Sequence, residues 1–465
     1  MNISVDLETY CELDLSTVGA YKYTNHPSFE ILIMCYCEEG SSDIITLDLA
    51  SNEADQAQAK EVYRNATSIT AYNANFEKMC LEAYFGVRMN LTYHCTMVKS
   101  AYCGLPLALA QVSKALGLSE AKDVNGGALI RTFCIPIKPT VRNGQKTRYF
   151  PQDQPEKWEQ FLDYCEQDVR VEMQISELLK PIKLPQAETD MWNLDRKINE
   201  HGVYVDIDFI KKSIELDNHV RNVLLARAST LTGVLNPNSA KQLMGWLNDT
   251  IGEDEDEVTS MKKADVSAMI KRFEGDDNAD IEAVLRIRQQ LAKTSVKKYW
   301  AMLSTASRDR RIRGLFQYYG ANRTGRWAGR LVQLQNLPRG MWDEDEIPQK
   351  VAEFKDSIKN TTPEAYLLEY PIETVQDILS SLIRSAIIAP KGKVLVVSDL
   401  SAIEARVLSW LAGETWRLEV FATHGKIYEA SASKMFNIPM EEVTKSIRAK
   451  GKVAELALGL SLIHI

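Results

Sequence analysis

Residues 4–10 read SVDLETY. In a strand, residues two apart share a face, so Val5 and Leu7 turn to a core while Asp6 and Glu8 point together. Two carboxylates side by side repel unless a divalent cation lies between them. The stretch predicts a strand that carries half of a metal site. Alone the pattern is weak, because paired acids also occur on exposed strand faces. Its weight comes from the residues that answer it further along the chain.

Two stretches answer it. FLDYCEQDVRVEMQI (161–175) is helical in pattern and places Tyr164 and Asp168 at i, i+4, on one face. SITAYNANFEKMCLEAYFG (68–86) reads as a strand, an asparagine-rich turn and a helix beginning near Phe76, with Glu77 in its first turn. Either asparagine could cap that helix, and Glu77 could simply complement its dipole. Around these stretches, ISVDL, EILIMCYC, DIITLDL and SITAY alternate like strands, so residues 1–180 read as α/β. The prolines of LLKPIKLPQAE (178–188) mark a break, and 186–308 reads as mostly helical around an acidic loop, GEDEDE (252–257). VLVVS (394–398) is β-branched and reads as a buried strand ending at Asp399, followed by a helix that ends at Gly413.

Composition bounds the rest. The chain has 465 residues, 45% apolar and 25% charged, enough for two or three soluble domains. No signal peptide is visible, and the longest apolar run, ILIMCYC, is far too short to span a bilayer, so a cytoplasmic protein without a membrane partner is expected. All eight cysteines lie in the first 165 residues without a CxxC pair, the pattern of reduced thiols. Net charge is −8, yet twelve Lys and Arg against the single acid Asp309 lie between Arg286 and Arg330. Glycines and aromatics interrupt that run (RGLFQYYGANRTGRWAGR, 313–330), which predicts a polyanion footprint rather than a solvated helix face.

The ordered set Asp6, Glu8, Glu77, Tyr164 and Asp168 resembles the three motifs of DEDD-type 3′–5′ exonucleases, specifically the proofreading domain of family A (DNA polymerase I-like) DNA polymerases. HCTMVKSAYCGLPLALAQVSKALGL (94–118) resembles the helical segment between its second and third motifs. The resemblance implies an RNase H-like α/β domain over 1–183, two Mg²⁺ or Mn²⁺ ions on Asp6, Glu8, Glu77 and Asp168, and Tyr164 orienting the attacking water. Glu77 departs from the usual Asp and reaches one methylene further.

The remainder resembles an α+β polymerase region of the same family over 184–465: a helical thumb and partial palm over about 186–413, and the start of the fingers over about 414–459. INEHGVYVD (198–206) resembles its beginning, and LAKTSVKKYWAML (291–303) its phosphate-gripping thumb helix, with Lys293, Lys297 and Lys298. RTGRWAGRLVQLQNLPR (323–339) resembles the segments that track primer–template. Arg323, Thr324, Arg326 and Arg330 would meet phosphates there, glycines 320, 325 and 329 would let backbone approach them, and Gln335 and Asn336 would reach the minor groove. VSDLSAIEAR (397–406) resembles the first palm motif, which implies Asp399 as a catalytic metal ligand and Glu404 as the group that excludes a ribose 2′-hydroxyl. Ser401 and Glu404 also fit a capping box. SIRAKGKVAELALG (446–459) resembles the nucleotide-binding fingers helix, with Arg448 and Lys452 for a triphosphate. That pair alone also fits a solvated basic edge.

The family's tyrosine slot holds Leu460, and LSLIHI (460–465) resembles a translated transposon-end adaptor, so a non-native tail is expected. The second palm carboxylate finds no counterpart. The expectation is therefore a phage-type, C-terminally truncated polymerase. It would be a monomer that binds single-stranded 3′ ends and primer–template, retains exonuclease activity and does not polymerise, with dNTPs as partners of the full-length protein. If phage-encoded, it would act in the host cytoplasm. The competing readings are a stand-alone DEDD exoribonuclease and a non-catalytic DNA-binding fragment.

Overall fold

The computed structural model describes residues 1–118, 126–252, 257–275 and 278–459, with side chains through residue 457 in the last helix. The acidic loop residues 253–256 and the expected tail 460–465 lie outside the described residues. Packing divides the chain into two units, Met1–Gly392 and Lys393–Ile465.

The first unit opens with β1 (Asn2–Tyr10), the short helices α1 (Leu15–Val18) and α2 (Ala20–Thr24), β2 (Glu30–Glu38) and β3 (Ile44–Asp48). It continues through α3 (Glu53–Asn65), β4 (Ser68–Ala71), α4 (Ala74–Phe85), β5 (Thr92–Cys95), α5 (Thr96–Tyr102) and α6 (Leu109–Ala115). Next come α7 (Gly126–Phe133) and the long α8 (Pro155–Leu179). The strands form one mixed sheet in the order β3-β2-β1-β4-β5. β1 and β2, and β2 and β3, run antiparallel; β1 and β4, and β4 and β5, run parallel. β1 is central because both its faces are wanted. Ile3, Val5 and Leu7 pack in a core with Ala59, Val62, Cys80 and Leu81 of α3 and α4. Tyr10, Leu32, Ile33 and Cys35 pack on the other face with Leu129, Phe133, Phe161 and Tyr164 of α7 and α8. The register slips between Glu8 and Thr9, a bulge that re-aims the strand just where its acids sit.

The same unit continues with α9 (Gln186–His201), β6 (Val203–Tyr204), α10 (Ile207–Thr232), α11 (Ala240–Ile251), α12 (Lys263–Arg272), α13 (Ala279–Leu291) and α14 (Lys297–Thr305). β7 (Arg311–Ile312) pairs with β6, and β8 (Phe316–Ala321) with β9 (Arg326–Gly329) makes a hairpin. α15 (Ile347–Asn360), α16 (Pro363–Glu369) and α17 (Ile372–Leu382) complete it. α10 is the spine of a core that takes Phe209, Val220, Tyr299, Ile358, Leu379 and Leu382. The expected break at 178–188 separates α8 from α9, but the unit runs on through it.

The second unit contains α18 (Ile403–Leu411), α19 (Thr415–Thr423), α20 (Ile427–Phe436) and α21 (Lys445–Gly459). The predicted strand 394–398 does not form. Residues 393–400 are irregular, with Val394, Val396 and Val397 81, 90 and 89% exposed. A strand is stabilised by a neighbour that takes up its N–H and C=O groups, and no described strand lies beside this one. The capping box fails too: the residue that caps α18 is Ala402, at φ +49°, without a side-chain bond. Among the described residues no helix is long and apolar enough to cross a membrane.

Candidate metal centre and nucleic-acid interface

Asp6 and Glu8 come from β1, and Asp168 from the middle of α8, which lies across the sheet. Their carboxylate oxygens fall within 4.8 Å of one another, the one such acidic group among the described residues. Strand period 2 and helix period 3.6 do this work together: Tyr164 and Asp168 share the helix face turned to the face of β1 that carries both acids. Tyr164 is buried and hydrogen-bonded to Asp168; burial first, then the Asp168 and Glu8 charges, raise its pKa, so it keeps its proton. Gly126 opens α7 directly on the Tyr164 ring, where a Cβ would come within 2.1 Å of Cε2.

Glu77 departs from expectation. It is 4% exposed in the first turn of α4, yet it stands outside the group of three. Burial chiefly, then the neighbouring Asp6, push its pKa well up. Its Oε2 is fully enclosed without a hydrogen-bond partner, and the asparagine at the helix N-cap, Asn73, makes no side-chain cap bond.

Glu172 was not singled out from the sequence. One turn beyond Asp168 and 2% exposed, it accepts from Thr96 Oγ1 at 2.5 Å and from Ser4. Its burial raises its pKa to about 7. Its i+4 spacing from Asp168 was the available signal. Two thiols also abut the acids: Cys134 Sγ lies 3.7 Å from Glu8 Oε2, and Cys165 Sγ 3.7 Å from Asp6 Oδ2. All eight cysteines are free. An all-carboxylate cluster with an orphaned buried carboxylate oxygen beside it suits a hard divalent cation such as Mg²⁺ or Mn²⁺.

The basic segment is not one face. Lys293 is spent on Asp377 at 2.5 Å, and Lys298 donates to the Val332 carbonyl at 2.8 Å; Lys297 is exposed. The β8–β9 turn carries Arg323 and Thr324 outward, with Gly325 at φ +68° making the turn, and Arg326 exposed beside it. Arg330 turns back onto Gln317. Gln335 and Asn336 are exposed in a single 3₁₀ turn, Leu334–Asn336. Two of the three glycines have packing reasons rather than phosphate ones: a Cβ at Gly320 would meet Ala328 at 2.6 Å, and one at Gly329 would meet the Gln335 amide.

In the second unit, Asp399 lies exposed in the irregular stretch rather than at the end of a strand, and Glu404 lies in the first turn of α18. Arg448 and Lys452 do sit one turn apart on α21. Lys452 is exposed, but Arg448 Nε pairs with Glu429 at 2.8 Å and its guanidinium lies over Tyr428.

Residues 209–459 match the family described as DNA polymerase family A. Over 461 residues the chain is 45% identical to a DNA polymerase of Bacillus phage SP02, covering 98% of this chain and 69% of the phage protein. A DNA polymerase I of Mycobacterium tuberculosis H37Rv is 23% identical over 284 residues, 60% of this chain and 27% of that one. Among solved structures, the POL domain of Pol1 from M. smegmatis, in complex with DNA primer-template and dNTP, superposes with a TM-score of 0.51 at 16% identity. That alignment covers 98% of this chain and 67% of the other, and it speaks for the fold alone.

Proposed function

The chain belongs to DNA polymerase family A, and from that premise we propose that residues 1–183 are its 3′–5′ proofreading exonuclease, of RNase H-like type, and residues 184–459 its polymerase region. The observation that carries the exonuclease is the clustering of half-buried Asp6 with buried Glu8 and Asp168, with Tyr164 hydrogen-bonded beside them. These carboxylates, with Glu77 alongside, would hold two Mg²⁺ or Mn²⁺ ions. Such ions, when bound, supply an activated water and neutralise charge on the scissile phosphate. The chain's own part is positioning. α8 fixes Asp168 against β1, and Tyr164 offers a protonated hydroxyl that orients the attacking water. Gly126 leaves room for that ring. A stand-alone exoribonuclease is disfavoured, because the phage relative is similar across both regions.

The hairpin residues Arg323, Thr324 and Arg326, with Lys297, Gln335 and Asn336, are the groups left exposed for primer–template; Arg448 and Lys452 would take a dNTP. Nucleotidyl transfer by two metals requires a formed palm site. Asp399 stands exposed in irregular chain, so the reading for a polypeptide of these 465 residues is hydrolysis without extension.

The test is Mg²⁺-dependent shortening of 3′-labelled single-stranded DNA. The wild type should shorten it, and Asp6→Ala/Glu8→Ala should lose at least a thousandfold of that rate. Equal rates in the two proteins would end the exonuclease reading, and robust primer extension would end the hydrolysis-only part.

A further inference from the structure

The first unit also contains a cleft in which basic side chains outnumber acidic ones. The cleft, of about 1740 Å³, opens between α2 and α4 on one side and α9 and the 306–313 loop on the other. It exceeds the ~300–1,000 Å³ of small-molecule pockets. Asp6, Glu8, Tyr164 and Asp168 do not line it. Eight of its lining residues are Lys or Arg and four are Asp or Glu.

Their pairing decides what the cleft can take. Three of the four acids are consumed, Glu82 by Lys78 at 2.8 Å, Glu200 by Arg88 at 2.7 Å and Asp309 by Arg313 at 2.6 Å, while the fourth, exposed Asp190, accepts from Gln186 Nε2 at 2.9 Å and offsets one positive charge of the excess. Arg311 is explained by the fold, since it donates to the His201 and Gly202 carbonyls and caps α9. Four cations remain with no carboxylate partner among the described residues. Lys22 is anchored on the Ser304 carbonyl at 2.6 Å, and Arg196 lies against the Trp192 and Tyr93 rings at 5.0 and 5.6 Å. Lys197 and Arg308 are exposed. Anchors made of carbonyls and rings hold a cation in place without neutralising it, so the cleft keeps its positive charge. His26 and Asn25 add a ring and an amide to the wall.

We propose that this cleft binds an unpaired stretch of DNA, about four to six nucleotides, by its phosphates. The proposal rests on the reading of the chain as a DNA enzyme and gives it a strand-holding site apart from the carboxylates. α4 is the partition: Asn75, Lys78, Met79 and Glu82 face the cleft, while Glu77 and Cys80 are buried on its other side. A strand is favoured over a free nucleotide because the cations are spread along both walls instead of converging on one point.

The experiment is anisotropy of a 5′-fluorescein oligo(dT) 12-mer with the full chain in EDTA, across a salt series. Lys197→Glu/Arg308→Glu should weaken binding about tenfold and lower the slope of log K against log salt by about one to two. Lys197→Ala/Arg308→Ala, expected to be about threefold weaker, keeps the test open if charge reversal unfolds the protein. Lys262→Glu/Lys271→Glu makes the same charge change elsewhere and should alter affinity less than twofold. Wild-type affinity in both cleft variants, or an equal loss in the control, overturns the proposal. So does displacement of the 12-mer by a nucleoside triphosphate at equal phosphate concentration, which would mark a nucleotide pocket. If the exonuclease reading alone is wrong, no DNA is shortened with Mg²⁺ while the variant-dependent loss of binding persists.

Discussion

Glu172 shows how much a single buried acid can weigh. Its pKa stands at about 7 against an ordinary 4.5, and its burial is nearly complete, so solvent screening is slight. A carboxyl whose folded pKa is raised favours the folded state while it is protonated. That contribution is whole below pH 4.5 and disappears as pH climbs through about 7. At pH 8 the ionised group costs up to about 3 kcal/mol. Glu172→Gln cannot ionise, so in EDTA it should be more stable than wild type at pH 8, and the gap should close by pH 4.5. Urea midpoints at the two pH values measure this, and a gap independent of pH would contradict it. Sequence carried the other acids better than this one. Asp6, Glu8, Tyr164 and Asp168 were legible because each spacing fixes a face by itself. Glu172 obeys the same i+4 rule, but its meaning comes from Ser4 and Thr96, which arrive from other elements. Glu77 was legible as an acid near the site; the gap between it and the other three belongs to α4's packing.

At the scale of elements, the β8–β9 hairpin is the most heavily tied piece of the basic segment. Trp327 Nε1 donates to buried Asp195 at 2.8 Å, Tyr318 bonds Glu188, and Asn199 exchanges two bonds with Phe316, each 2.9 Å. On the N-terminal side Asn322 reaches the Leu105 carbonyl at 3.4 Å, and Tyr319 meets Tyr102 edge-on at 6.3 Å. Burial raises the Asp195 pKa to about 6, with the Trp327 bond the largest opposing influence. Trp327→Phe keeps the ring but strips that bond from a buried acid, and it should cost about 1–3 kcal/mol. With the hairpin loosened, primer–template affinity should fall several-fold, while oligo(dT) binding in EDTA should hold. Calorimetric melting and anisotropy check the two halves. Elements were read well where one segment supplies its own reasons, as in β1, α4, α8 and α21. The strand over 394–398 was misread because composition states a preference for pairing and cannot supply the partner.

For the molecule as a whole, the exposed run 393–400 is the junction between the two packing units. Brief trypsin treatment should cut first at Lys391 or Lys393, both exposed, and leave an N-terminal fragment that still shortens single-stranded DNA. Mass spectrometry of the first fragments decides this; initial cutting within 178–188 would count against it. The proline-marked break there was plain in the sequence. What the sequence hid is the lacing across it: Lys22 to Ser304, Asn322 to Leu105 and Gln317 to Met97, pairs more than 200 residues apart. Six of the eight cysteines are buried and Cys134 is turned onto Glu8, which leaves Cys103, at the end of α5 beside Tyr102, as the most accessible sulfur. A maleimide dye would therefore attach there in the unmodified protein, next to the hairpin's aromatic contact. It would give a fluorescence signal for strand engagement without any cysteine being removed.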